Sequence, residues 1–93
     1  MALRFEWDPG KAAANFRKHG VSFQEASTAL GDPLSITIAD PDHSVAEERY
    51  LLIGVSMRGR LLVVSHAERG DAIRIISARA AARSERKVYE EEF

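Results

Sequence analysis

The 93-residue sequence contains no cysteine, which excludes a disulfide scaffold, a cysteine nucleophile and zinc sites built on thiolates. Apolar runs are short, and none approaches the roughly 20 residues that a membrane-spanning helix needs. The first residues also lack the charged and apolar regions of a secretory signal. These absences predict a cytoplasmic protein without membrane contact. The length predicts a single domain over residues 1–93 with one hydrophobic core.

Several catalytic signatures are missing as well. The sequence has no glycine-rich phosphate loop, no G-x-S-x-G elbow and no H-E-x-x-H pair. An acidic segment holds Asp40, Asp42 and His43, but their spacing matches no established metal-ligand pattern. We therefore predict a loop there, and neither a metal nor a cofactor.

The net charge of −1 conceals an uneven distribution. Residues 1–57 hold five Lys or Arg against eight Asp or Glu, whereas residues 58–87 hold eight against three. The last six residues add three glutamates. A local basic surface that could bind nucleic acid is compatible with this pattern, and so is an ordinary solvated face.

Periodicity predicts the first elements. Alternating apolar and polar residues predict a short strand over residues 2–7, with Phe5 and Trp7 as core anchors. Asp8 and Pro9 are typical of a helix start, and Gly20 of its left-handed end. Residues 22–25 fit a capping box for a second helix, which residues 31–33 end.

From residue 34 the period changes to two. We predict strands over residues 34–39, 49–56, 60–67 and 72–77, followed by a helix over residues 78–92. Short turns containing Gly59 and Gly70 favour an antiparallel four-strand meander. The predicted fold class is α+β, in the order strand, two helices, four strands, helix. We expect the helices on one face of a twisted antiparallel sheet.

Arginines cluster on the predicted C-terminal helix. Arg79, Arg83 and Arg86 would lie within about 60° of one another, with Lys87 close by. RNA phosphate, an acidic partner protein or solvent would each satisfy such a ridge. Arg79 differs from the others because it would lie at the junction between strand and helix, near the sheet.

A second cluster surrounds the predicted last hairpin. Arg74 lies on its second strand, His66 shares a face with Leu62 and Val64 on the first, and Glu68 and Arg69 enter the turn. Cleavage of RNA without a metal needs a base, cations for the phosphorane and an acid. The alternative is a cross-strand salt bridge around Glu68 beside an ordinary strand-end histidine.

The end of the first helix offers a further candidate pair. His19 is predicted on the inner face of this helix next to Gly20, where it could act in proton transfer or simply cap the last carbonyls. Lys18 beside it could bind phosphate or be exposed to solvent.

The segment from Phe5 to Ala26, which contains W-D-x-x-K-x-x-x-N-x-x-K-H-G-V-x-F, closely resembles the BrnT family of ribonuclease toxins. So does Glu68-Arg69-Gly70-Asp71, followed by Ile73-Arg74-Ile75-Ile76-Ser77-Ala78-Arg79, and the likeness covers essentially the whole chain. The resemblance implies a compact fold similar to RelE-type nucleases and cleavage of RNA without a metal. It also implies a BrnA-type antitoxin partner, through which alone the complex would bind DNA. The family pattern carries over most firmly to Lys18, His19, Arg74 and Arg79.

These observations combine into one hypothesis. RNA would lie across the open sheet face, with Arg74 and Arg79 binding the scissile phosphate and His66 or His19 transferring the proton. Glu68 or Lys18 would support them, and Arg69, Arg83 and Arg86 would bind substrate. One alternative is a non-catalytic module that binds RNA or protein through the arginine ridge, and another is a dimerisation domain that pairs through the strand at residues 34–39.

Overall fold

The computed structural model describes residues 4–40 and 48–91. Its elements are β1 (Arg4–Glu6), α1 (Pro9–His19), α2 (Phe23–Ala29), β2 (Ile36–Ala39), β3 (Arg49–Val55), β4 (Leu61–Arg69), β5 (Ala72–Ala80) and α3 (Arg83–Glu91). The predicted order of strands and helices is confirmed. The predicted loop around His43 lies outside the described residues. No helix within the described ranges has the length and apolar character needed to cross a membrane.

The five strands form one sheet in the order β1-β5-β4-β3-β2. Strands β2 to β5 pair antiparallel in sequence order, as predicted for the meander. β1, however, lies parallel to β5. The prediction of an all-antiparallel sheet is therefore wrong, because α1 and α2 carry the chain from one edge of the sheet to the other before the meander returns to β1.

The predicted ends of the first two helices are confirmed. Oδ1 of Asp8 accepts hydrogen bonds from the backbone N–H groups of Gly10 and Lys11 at 2.7 and 3.2 Å. Gly20 ends α1 with a φ of 70°, in the left-handed region that favours glycine. Oγ of Ser22 accepts from the N–H of Glu25 at 3.0 Å and thereby begins α2.

Hydrophobic residues pack on both faces of the sheet. Leu62 and Val64 of β4 join Phe23 and other buried residues of the α2 region, and Phe5 and Trp7 pack against this cluster as predicted. The alternate residues of β4, Leu61 and Val63, join Ile53 in a second cluster that Ala81 and Tyr89 cover. We call these two sides the α2 face and the α3 face. The predicted placement of all helices on one face is wrong.

β5 is longer than predicted and α3 is shorter. Ala78, Arg79 and Ala80 pair with Val64, Val63 and Leu62 of β4, and α3 begins at Arg83. Pairing with a buried central strand outweighs the helix propensity of this alanine-rich segment. The predicted ridge of Arg79, Arg83 and Arg86 on one helix is consequently wrong, because Arg79 belongs to the sheet.

Buried polar side chains fasten the helices to the sheet. Asn15 is 7% exposed, and its Nδ2 donates to the carbonyl oxygens of Val21 and Ala78 at 3.0 and 2.8 Å. Its Oδ1 accepts from the N–H of Ala78 at 3.1 Å. Because β1 pairs only with residues 72–74 of β5, the Asn15 amide takes the place of a strand partner farther along that strand.

A second anchor joins α2 to the hairpin between β3 and β4. The side chain of Glu25 is 5% exposed, and its carboxylate accepts from Oγ of Ser56 at 2.7 Å and from Nε and Nη2 of Arg60, the Nε bond measuring 2.9 Å. The hydrogen bonds from Arg60 are the main reason that the pKa of Glu25 lies below its ordinary value. The capping box is therefore half formed, since the Glu25 side chain reaches the hairpin.

Candidate functional site: a charged pocket at the sheet edge

An open pocket of about 250 Å³ lies where β1 leads into α1. Its lining residues are Glu6, Trp7, Asp8, Arg69 and Arg74. The parallel register places Glu6 beside Arg74, and Oε1 of Glu6 lies 3.9 Å from Nε of Arg69. Two guanidinium groups and two carboxylates thus meet in one solvent-accessible depression.

Asp8 contributes a carboxylate that the helix start keeps ionised. Hydrogen bonds from the backbone of Lys11 and Gly10 are the main reasons that the pKa of Asp8 is lowered, and the charge of Arg74 acts in the same direction. Because Oδ1 already accepts two backbone hydrogen bonds, Asp8 serves mainly to begin α1 and to fix the wall of the pocket.

The pocket continues onto a basic part of the α3 face. Strand registers place Arg49, Ala67, Arg74 and Glu6 in one row across β3, β4, β5 and β1. Residues paired across strands point to the same side of a sheet, and this is the side on which Val63 packs beneath α3. Arg69 lies two residues after Ala67 on β4 and therefore on this face too. Three arginines consequently share the face into which the pocket opens.

Arg79 lies on the same face, because it pairs with Val63, but α3 engages its side chain. Nη1 and Nη2 of Arg79 donate to the two carboxylate oxygens of Glu85, each at 2.7 Å. Glu85 also accepts from the N–H of Ala82 at 2.7 Å, at the start of α3. The bond with Glu85 raises the pKa of Arg79, and the bond with Arg79 lowers the pKa of Glu85.

His66 does not join the arginines. It is 5% exposed and pairs with Ile75 on the α2 face, beside Tyr50, whose ring centroid is 5.8 Å away. Burial is the main reason that the pKa of His66 is lowered. The predicted gathering of His66 with Arg74 is wrong, because the sheet separates the two side chains. Glu68 is exposed and lies on the same face as His66, two residues along β4.

His19 and Lys18 lie at the other end of α1 from the pocket. Both are exposed, so the predicted position of His19 on the inner face is wrong. α1 has 11 residues, which separates its ends by about 15 Å. Nη2 of Arg60 donates to the carbonyl of Gly20 at 3.1 Å and places this end beside the hairpin between β3 and β4. The structure therefore does not bring His19 or Lys18 to Arg69 and Arg74.

Arg83 and Arg86 are exposed on α3, beyond the Arg79–Glu85 pair.

The pocket residues that the sequence did not indicate as functional candidates are Glu6 and Asp8. No local sequence pattern marks Glu6 as a site residue, because its approach to Arg74 depends on pairing between strands at opposite ends of the chain.

Across residues 4–40 and 48–91, no group of three or more His, Cys, Asp or Glu side chains could hold a metal ion.

Comparison with protein families gives this geometry a context. The family model for the ribonuclease toxin, BrnT, of type II toxin-antitoxin systems matches residues 7–85. The chain belongs to the BrnT family. The match includes Asp8, Arg69, Arg74, Arg79 and Glu85, and it begins one residue after Glu6. The resemblance read from the sequence is confirmed, and the family identifies the chain as a ribonuclease toxin that has an antitoxin partner.

A solved structure supports the same assignment. The 1.1 Å crystal structure of the Brucella abortus ribonuclease toxin BrnT matches this chain with a TM-score of 0.64 and 25% identity. The match covers 88% of this chain and all of the Brucella chain. A comparison with curated proteins found no match. The expected likeness to RelE-type nucleases stays a prediction.

Proposed function

We propose that this BrnT-family toxin is a metal-independent endoribonuclease whose catalytic site is the pocket formed by Glu6, Arg69 and Arg74. The observation that carries the proposal is the meeting of two guanidinium groups and a carboxylate in an open pocket on the basic side of the sheet. Cutting of cellular RNA at this site would inhibit translation and growth in the cytoplasm.

The chemistry follows from what these groups can do. Arg74 and Arg69 bind the scissile phosphate and stabilise the charge added in the phosphorane. Glu6 accepts the proton of the 2′-hydroxyl as its oxygen attacks phosphorus. The bond from phosphorus to the 5′-oxygen breaks, and the leaving oxygen takes a proton from water in the open pocket. The products are a 2′,3′-cyclic phosphate and a 5′-hydroxyl end.

This scheme assigns the proton transfer to Glu6 in place of the histidines. His66 is buried on the α2 face, and His19 lies at the far end of α1. The roles of His19 and Lys18, which the family resemblance favours, stay predictions, and so does the supporting role of Glu68, which rests on its place in the charged cluster of the last hairpin. Arg83 and Arg86 would bind RNA farther from the scissile phosphate.

Incubation of the purified chain with a defined RNA in EDTA tests the reaction. We expect cleavage that continues in excess EDTA and leaves 2′,3′-cyclic phosphate ends. Cleavage that stops with EDTA and returns with added Mg²⁺, or ends that carry 5′-phosphate, would contradict the proposed mechanism.

A non-catalytic binding module is the second candidate. The position of both described histidines away from Arg69 and Arg74 favours it. It predicts RNA binding that weakens as salt is raised, because phosphate contacts release counterions, but no cleaved product with or without ribosomes.

For the antitoxin we propose a BrnA-type DNA-binding protein that fills the basic part of the α3 face. An acidic or amphipathic segment would complement Arg49, Arg69 and Arg74 there and exclude RNA. The complex, in a stoichiometry of one or more copies of each chain, would bind DNA only through the antitoxin. Co-expressed antitoxin should co-purify with the wild-type toxin and protect cells. If the antitoxin co-purifies equally well with an Arg69→Glu toxin, its contact with the toxin lies elsewhere.

A further inference from the structure

The Arg79–Glu85 pair has the geometry of an arginine holding an anion. Both terminal nitrogens of Arg79 bind the two carboxylate oxygens of Glu85 at 2.7 Å, so the guanidinium is engaged bidentately. Phosphate uses the same pairing with arginine. The pair is not sealed in the core, since the side chains of Arg79 and Glu85 are 43% and 25% exposed. An external phosphate can therefore compete with Glu85 for this arginine.

Arg79 is also placed along the path of an RNA strand that enters the pocket. Arg79 and Arg74 lie on the α3 face of β5, five positions apart, with a register shift between them. At a rise of about 3.3 Å per residue, their Cα atoms lie about 15 Å apart. That distance exceeds the spacing of neighbouring phosphates in one strand. The two arginines therefore suit different phosphates of the same RNA, and Arg79 is directed towards α3 and away from the pocket.

We propose that Arg79 is a second phosphate subsite, remote from the scissile bond, and that Glu85 occupies it as a built-in anionic competitor until RNA displaces it. The inference rests on the proposed cleavage at Glu6, Arg69 and Arg74, and it replaces the sequence-based expectation that Arg74 and Arg79 hold one phosphate. RNA long enough to reach from Arg74 to Arg79 meets Glu85, whereas a dinucleotide in the pocket does not.

Substrate length makes this difference measurable. We compare kcat/KM for a dinucleotide with one phosphodiester and for an octanucleotide that carries the same cleavage step. Glu85→Gln should raise kcat/KM for the octanucleotide about tenfold, because a neutral amide competes less well for Arg79 than a carboxylate does. The value for the dinucleotide should not change. Glu91→Gln is the matched control, since Glu91 lies on the same helix in an exposed pair with Lys87.

Two further variants separate competition from a structural role. Arg79→Gln combined with Glu85→Gln should lose the gain on the octanucleotide, because the subsite itself is then absent. Glu85→Asp keeps a carboxylate at the start of α3 on a shorter side chain, which reaches Arg79 less well. It should therefore raise kcat/KM for the octanucleotide, though by less than Glu85→Gln, and it serves as the test if Glu85→Gln folds poorly. If both variants lower the melting temperature without a gain on long RNA, Glu85 merely caps α3 and the proposal is wrong. An equal gain on both RNA lengths would also overturn it.

Binding to an oligodeoxynucleotide of the octanucleotide sequence separates this inference from the proposed reaction. DNA lacks the 2′-hydroxyl and cannot be cut by this route. Tighter binding by Glu85→Gln with no RNA cleavage by any variant would support the subsite and contradict the nuclease mechanism. Unchanged binding, alongside normal cleavage of RNA, would contradict the subsite alone.

Discussion

His66 packs beside Tyr50 on the α2 face, where burial lowers the pKa of the imidazole. In the unfolded chain a histidine titrates near pH 6.5. Because the folded pKa lies below the unfolded one, the folded state favours the neutral ring. The stability that depends on this neutral ring is complete above about pH 6.5 and is lost as the pH falls from there towards the folded pKa.

We therefore predict that acidification from pH 7.5 to 5.5 lowers the free energy of unfolding of the wild-type protein, and that His66→Phe reduces this dependence. Phenylalanine retains a ring next to Tyr50 but has no proton to bind. Urea denaturation at both pH values measures the effect. Glu25 and Asp32 have lowered pKa values, so their stabilising contributions are lost at more acidic pH. The same pH dependence in both proteins would show that His66 is not its source.

Single residues also show what the sequence could predict about the site. Alternation along β4 predicted that His66 shares a face with Leu62 and Val64, and this is confirmed. The two-residue turn at 70–71 pairs Arg69 with Ala72, so counting back would have placed His66 opposite Ile75 and away from Arg74. The position of Glu6 could not be counted in this way, because it depends on the long-range pairing of β1 with β5.

At the scale of helices and strands, the side chain of Asn15 joins α1 to β5. Its side chain makes three hydrogen bonds, two of them to the backbone of Ala78, beyond the end of the β1 pairing. The order of elements could be predicted from periodicity and helix caps. The boundary between β5 and α3 could not, because residues 78–82 have local helix propensity and become strand or connection only through their contacts with β4.

We predict that Asn15→Ala lowers the free energy of unfolding by about 2 kcal/mol, because buried backbone groups of Ala78 and Val21 lose their partners. Arg17→Ala, at an exposed position of the same helix, should change it by no more than about 0.5 kcal/mol. Urea denaturation at pH 7.5 measures both. A loss for Asn15→Ala as small as that of the control would mean that the amide does not fasten α1 to the sheet.

The whole molecule has helices on both faces of its sheet, but they do not cover the two faces in the same way. α2 packs over the central strands on one side, whereas α3 packs on the other side at the end that contains Leu61 and Val63. Oδ2 of Asp32 holds α3 there by accepting from the Tyr89 hydroxyl at 2.7 Å and from the N–H of Val55 at 2.8 Å. The pocket with Arg69 and Arg74 lies on the α3 face at the other end of β4.

The sequence alone did not predict this placement. Both faces of β4 are apolar, so its pattern does not say which helix covers which face. The charge distribution did indicate a basic segment over residues 58–87. Three arginines of this segment, Arg69, Arg74 and Arg79, lie on the α3 face of the sheet. The family resemblance supplied the ribonuclease function, whereas the geometry supplied the proposed pocket.

The most direct test of the proposed site is RNA cleavage in EDTA by the wild-type chain, Arg74→Gln and Arg17→Gln, with folding of each checked by circular dichroism. Arg74→Gln removes a cation from the pocket, whereas Arg17→Gln removes an exposed cation on α1. We predict that Arg74→Gln slows cleavage at least about 100-fold, because a charge-stabilising group is lost from the transition state, and that Arg17→Gln cleaves like the wild type. Full activity of a folded Arg74→Gln protein would contradict the assignment of this pocket as the catalytic site.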